Sequence, residues 1–207
     1  MQSRALDKRQ DRAKRTRDQL LEAAELVFAS KGYHETAMHD IVTKSGRSKG
    51  AIYFHFPSKQ SVFEAVLDAL AYKLERKVNN SIDLAPTALA KLDAALTTLV
   101  DTFATRHRMA RLGLIEIGAA GPNFQPQIQR VRNRFTLLIR KQLDYAVSEN
   151  LINEMDTDLA SRIWFGAINQ FLIDWIQSGS RREKLDTDLP ALRISLLKSV
   201  GIDSHLV

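Results

Sequence analysis

The chain has no cysteine in its 207 residues, which removes disulfides, thiol nucleophiles and cysteine-ligated metals at once. Its five histidines, His34, His39, His55, His107 and His205, form no HxH or HxxxH pair, so no metal site is expected. No apolar run approaches the roughly 18 residues of a membrane span, and the charged N-terminus lacks the apolar core of a signal peptide. A cytoplasmic location without membrane partners is therefore expected. A P-loop and clustered His/carboxylate patterns are missing too, so neither an enzyme nor a cofactor is expected. No stretch alternates apolar and polar residues with period two for long enough to make a strand, which leaves an all-α chain.

What is present begins with positive charge. The formal net charge is +6. Most of the excess lies in the first seventeen residues, where Arg4, Lys8, Arg9, Arg12, Lys14, Arg15 and Arg17 face only Asp7 and Asp11. A solvated tail and a polyanion-binding arm both fit residues 1–15; the second needs a nucleic-acid reader directly after it.

Such a reader is legible next. Leu20, Leu21, Ala24, Val27 and Phe28 recur at helical spacing, with Gly32 at the C-terminal position, predicting a helix over about 16–31. A short helix over 37–44 carries Met38, Ile41 and Val42 on one face and ends at Ser45-Gly46. Ser48 caps a third helix over 49–55, Pro57 stops it, and Ser58 caps a fourth running toward Asn79. Three short helices with glycine in the second turn make a helix-turn-helix, whose third helix lies in the major groove. Ile52 and Phe56 then face inward, onto Leu21, Ala24, Phe28, Ile41 and Phe63. Arg47, Ser48, Lys49, Gly50, Tyr53 and Phe54 face out. Lys49 or Arg47 can donate to guanine, Gly50 permits close backbone approach, and Phe54 suits a thymine methyl. Tyr53, His55 and Lys59 are read as phosphate ligands.

The ordered set Thr16-Arg17, Leu21-Glu22-Ala23-Ala24, Phe28, Gly32-Tyr33, Ile41, Gly46, Ser48, Gly50, Ile52-Tyr53, His55-Phe56 and Ser58-Lys59 resembles the DNA-binding domain of the tetracycline-repressor (TetR) family. The resemblance implies a helix-turn-helix over about 37–56 within a DNA-binding domain at 16–60 and a connecting helix at 61–79. It also implies a C-terminal antiparallel helical domain at 80–207 that binds ligand and dimerises. The implied partners are a palindromic double-stranded DNA operator, a second copy of the chain and a small-molecule effector, whose binding usually releases DNA. Three positions depart from the family pattern. Ala37 stands where threonine or serine is usual, leaving Thr36 as the phosphate candidate. Arg47 replaces an apolar residue, as an extra DNA ligand or a solvated turn charge. Gln60 replaces an acidic residue in the first turn of the fourth helix.

Beyond the Ala85-Pro86 break, helices are expected over 89–103, 108–117, 126–150, 156–178 and 189–200. The segment IWFGAINQFLIDWI is apolar nearly all round, and such a helix must be buried on several sides. With the last helix it suits an isologous four-helix dimer interface through Phe165, Gly166, Leu172, Ile176, Leu192, Leu196 and Val200; the alternative is an intramolecular core. The family layout implies pocket residues Phe103, Ile115, Phe124, Phe135, Trp164, Ile168 and Phe171. Glu116, interrupting an apolar run, is a candidate orienting group. Arg106, Arg108, Arg111 and Arg134 would sit near the pocket mouth. Arginines beside an apolar cavity suit an amphipathic anion, and DTDLASRIWFGAINQ resembles fatty-acid-responsive members that bind acyl-coenzyme A. Ligand-released repression by such a compound is the leading expectation. A regulator of multidrug or aromatic-compound response is one alternative, and an architectural DNA-binding protein whose C-terminal domain only dimerises is another.

Overall fold

The computed structural model describes residues 2–202, with side chains from Gln10 onward. The described residues form nine helices and no strand. Helix α1 (Gln2–Glu35) is broken near its end by Gly32, whose φ of 80° and ψ of 172° are essentially glycine-only. It starts earlier than the apolar period suggests, because residues 2–15 are Ala, Leu, Lys, Arg and Gln rich and carry no Gly or Pro. The basic arm is therefore helical backbone. The side chains of Arg4, Lys8 and Arg9 lie outside the described residues, and those of Arg12, Lys14, Arg15 and Arg17 are exposed.

Helix α2 (Met38–Ser45) closes on Gly46 in the left-handed region, at φ 64°. Helix α3 (Lys49–His55) begins where Ser48 Oγ accepts from the Ala51 amide at 3.2 Å. Helix α4 (Lys59–Leu84) begins with Ser58 and Ser61 capping each other reciprocally, at 3.1 Å in both directions. The break expected at Asn79-Asn80 does not occur. Val78 and Ile82 are both buried one turn apart, which holds the helix through two mildly unfavourable asparagines until Ala85-Pro86 ends it.

Helix α5 (Ala88–Thr105) leads into α6, residues 107–119, which starts as an α-turn (His107–Arg111), widens into a π-helical turn (Leu112–Glu116) and closes at Ile117–Ala119. After a 3-10 turn at Pro122–Phe124 come α7 (Gln125–Ser148), α8 (Thr157–Gln177) and α9 (Arg182–Ser199). Helix α9 starts two turns before the expected Leu189 and carries Pro190 inside. Buried Leu185 anchors the early turns, and Arg182 to Asp186 (2.7 Å) and Lys184 to Asp188 (2.8 Å) pair along them.

One core joins α1 to α4 through Leu20, Ala24, Phe28, Ile41, Ile52, Phe56 and Phe63, and it also takes in Leu112, Ile117 and Phe124 from the α6 region. Phe28, Tyr33, Phe63 and Phe124 form an aromatic cluster with centroid spacings of 4.7 to 6.2 Å. The remaining helices pack around a second interior, in which Leu143, Trp164, Leu196 and Leu197 are buried together.

Candidate nucleic-acid interface and ligand cavity

Helix α3 divides by face as its spacing requires. Ile52 and Phe56 are buried, at 0% and 3% exposure, whereas Phe54 is 80% exposed and Arg47, Ser48, Lys49, Gly50 and Tyr53 are also exposed. Phe54 stands out, since a large ring left in water on a seven-residue helix has no packing role. Lys49 Nζ lies 6.0 Å from the Tyr53 ring centroid, and His55 is half-buried beside Phe54. Arg47 neither packs nor floats free, because its guanidinium donates to Gln19 Oε1 on α1, which ties the turn to the first helix.

Two assigned phosphate ligands are placed elsewhere. Thr36 is 2% exposed and its hydroxyl donates to the Gly32 carbonyl at 2.7 Å, closing the chain after the α1 break. Lys59 donates to the Tyr33 and His34 carbonyls at 2.9 and 3.0 Å, and its ammonium lies 4.6 Å from the Tyr33 centroid. A lysine near unpaired carbonyls at a helix C-terminus is a cap. Asp40 ties the same corner, accepting from Lys31 (2.8 Å) and the Ala37 amide (2.9 Å). These bonds hold its carboxyl below the usual carboxylate range. Tyr33 is pushed up, first by burial and then by the charge of Glu64.

Between α4, α5, α6, α7 and α8 lies a cavity of about 660 Å³. Of the twelve candidates, Phe103, Phe135, Trp164 and Ile168 line it, with Arg106 from the basic group. Trp164 is held in place because its indole N–H donates to Ser199 Oγ at 3.0 Å. The other seven candidates do not line it. Phe124 belongs to the aromatic cluster under α1. Arg134 is paired with Glu75. Ile115 and Phe171 pack in the core between α5, α6 and α8 instead. Arg108 is exposed away from the cavity, and Arg111 instead pairs with Glu116 at 3.6 Å. Glu116 faces α1, where its Oε2 accepts from the Tyr33 amide at 3.1 Å. The π-helical turn thus presents Gly113 and Leu114 to the cavity and Glu116 to α1. Its extra residue per turn re-aims the side chains, as π-turns do at functional sites.

Lining residues that the sequence reading missed include Leu70, Leu74, Lys73 and Lys77 on α4 and Leu96 and Leu99 on α5, whereas Asn169, a polar residue interrupting the aromatic helix, lines it from α8. The i, i+4 spacing of the two lysines beside Leu70 and Leu74 was an available signal. Among the described residues no Asp or Glu lines the cavity, while Lys73, Lys77, Arg106 and Arg132 do.

The expected dimer residues also need correction. Leu172, Ile176, Leu196 and Val200 are all at most 7% exposed and pack inside the protomer. Phe165 lines the cavity and Leu192 packs on the adjacent core. Gly166 alone of that set is exposed, with open space around it. The uncovered stripe runs through Leu159 (48%) and Ile163 (56%) to Gly166 on α8, with Ile194 (36%) on α9.

The model of bacterial regulatory proteins, tetR family, matches residues 20–66, and that of the tetracyclin repressor-like C-terminal domain matches 85–183. The chain belongs to the TetR family. It is a DNA-binding transcriptional regulator of the repressor type and not an enzyme. It is similar to the fatty acid metabolism regulator protein of Bacillus subtilis, 23% identical over 90% of this chain and 94% of the relative. The HTH-type transcriptional repressor BepR of Brucella suis is 25% identical over 79% of this chain and 82% of the relative. The TetR fold recurs in the Bacillus subtilis regulator FadR solved in complex with stearoyl-CoA. That structure has a TM-score of 0.76 and 23% identity, covering 88% of this chain and 97% of that one. Among the described residues no helix is long and apolar enough to cross a membrane.

Proposed function

We propose that the protein is a homodimeric repressor that leaves a palindromic operator when a long-chain amphiphile, a fatty acyl-CoA, fills the cavity. Residues 16–60 read DNA, with the helix-turn-helix at about 37–56, and 80–207 bind ligand and dimerise through the Leu159, Ile163, Gly166 and Ile194 stripe. The reading rests on the cavity of about 660 Å³, which is apolar within, cationic at its rim and bounded by the helix that touches α1. A chain whose C-terminal part only dimerised would have no use for that space, since packed interiors leave few voids larger than a water molecule.

The base-reading set is Lys49, Gly50 and Phe54 with Arg47 and Ser48, while Tyr53 and His55 hold phosphates. Ligand entering beside Gly113 and Leu114 moves α6, and α6 carries Glu116 against Tyr33 at the end of α1. Half-sites of a dimer must match faces about 34 Å apart, so a small rotation of each reader loses register. Thermal denaturation across a ligand panel tests the ligand class. Stearoyl-CoA is expected to raise the melting temperature at ligand excess. Stabilisation by neutral aromatic compounds, with none from stearoyl-CoA, would replace this reading with the aromatic-response alternative.

A further inference from the structure

The cavity rim and the first helix share an ion-pair partner. Lys73 of α4 and Arg106, between α5 and α6, both line the cavity. Both also reach the carboxylate of Glu25 on α1, Lys73 at 3.2 Å and Arg106 at 4.0 Å. The Glu25 side chain is 15% exposed, against 54% for Lys73 and 59% for Arg106. The cations are therefore reachable from solvent and from the cavity, whereas the carboxylate is held against the fold. Beside them Lys77 donates to Thr102 Oγ1 at 2.9 Å, and among the described residues no acidic side chain lines the cavity. The counter-ion of the rim thus comes from the helix that supports the DNA reader.

We propose that Lys73 and Arg106 form the head-group subsite for an anionic amphiphile, and that the head group and Glu25 compete for them. The proposal rests on the preceding reading that an amphiphile occupies the cavity, and adds where its charge sits and how that charge is sensed. A phosphate or carboxylate arriving at Lys73 and Arg106 stands beside Glu25, and like charges at this range repel. The apolar tail holds the ligand in place, so α1 yields. Glu25 cannot simply turn to other cations without moving, because its carboxylate is largely enclosed. Linkage makes the effect reciprocal, so operator binding that keeps Glu25 on the two cations weakens the anionic ligand by the same factor.

The test compares wild type with E25Q and K73Q, using three probes of equal tail length: stearoyl-CoA, stearate and the uncharged stearoyl-pantetheine. Binding is measured by titration calorimetry, operator affinity by fluorescence anisotropy, and folding by thermal melting. E25Q should bind an anionic probe about three- to fivefold tighter, the size expected for freeing partly exposed ion pairs, and stearoyl-pantetheine as wild type does. Stearoyl-CoA should also weaken operator binding of E25Q less than that of wild type. K73Q should lose severalfold on the anionic probe alone. A gain confined to stearoyl-CoA assigns a phosphate head group, and one confined to stearate assigns a carboxylate; both support the subsite. If wild type binds stearoyl-CoA while E25Q and K73Q bind every probe as it does, the subsite is wrong and the acyl-CoA reading stands. If wild type binds none of the probes, or only the uncharged one, the acyl-CoA reading fails and the subsite with it. Should E25Q melt early, K73Q decides: equal losses on anionic and uncharged probes overturn the proposal.

Discussion

Replacing Glu116 with alanine should disconnect the cavity from the DNA reader while leaving both in place. In the wild type its carboxylate accepts from the Tyr33 amide at 3.1 Å and pairs with Arg111 at 3.6 Å. A hydrogen bond to a charged acceptor contributes about 1.5–3 kcal/mol where it is buried. The Glu116 side chain is 26% exposed and Arg111 is 64% exposed, so the amide bond falls at the low end and the ion pair adds only about 0.2–1 kcal/mol. The expected loss of stability is about 2 kcal/mol, readable as a lower urea midpoint at unchanged slope. The functional consequence is larger. Allosteric coupling free energies run from about 1 to 3 kcal/mol, or roughly 5- to 150-fold in affinity. Glu116→Ala should bring the ratio of operator affinities without and with stearoyl-CoA close to one. Fluorescence anisotropy on labelled operator gives that ratio directly. If the variant is folded, binds stearoyl-CoA and keeps the wild-type ratio within about twofold, the α6-to-α1 contact is not the route.

Gly32→Ala should destabilise by about 2–4 kcal/mol in urea unfolding, combining a glycine-only conformation with a displaced partner; its Cβ would stand 2.7 Å from Glu116 Oε2. Tyr53→Ala and Lys49→Ala should each weaken operator binding by about 10- to 100-fold with melting temperatures near wild type, and Lys49→Ala should also relax discrimination at the base it reads. Asp40 has a folded carboxyl pKa below its unfolded one, so its ties to Lys31 and the Ala37 amide stabilise above the usual carboxylate range and fade as pH falls through the lowered value. Asp40→Asn should flatten that acid limb of a stability-versus-pH curve. Ile163→Asp, placing charge on a face 56% exposed in one protomer, should give a monomer by sedimentation that retains its fold but loses cooperative operator binding.

The DNA-reading end was legible because local signals settle it. Ser48 and Ser58 cap, Gly46 turns, and Ile52 and Phe56 face one way, each within a few residues of its partner. Thr36 turns its hydroxyl onto the Gly32 carbonyl four residues earlier, and Lys59 meets the Tyr33 and His34 carbonyls only where α4 folds back on α1, neither of which the helical spacing shows. The same limit governs the C-terminal half. Helical periodicity shows that residues 163–176 must be buried, yet it cannot say whether a residue faces the cavity, its own core or a second copy. Leu172 and Ile176 turned inward, and the face left open carries Leu159 and Ile163. Glu116 was noticed as a misfit in an apolar run; its partner lies 83 residues away in the chain, beyond the reach of spacing rules.

On the proposed function, one molecule reads DNA with α3 and gives it up when the cavity is filled. Sequencing genomic DNA captured by the purified protein, with and without stearoyl-CoA, tests both halves together. A small set of palindromic sites should be enriched without ligand and lost with it. Capture without enrichment over random fragments, or the same sites recovered equally in both conditions, would contradict the proposed function.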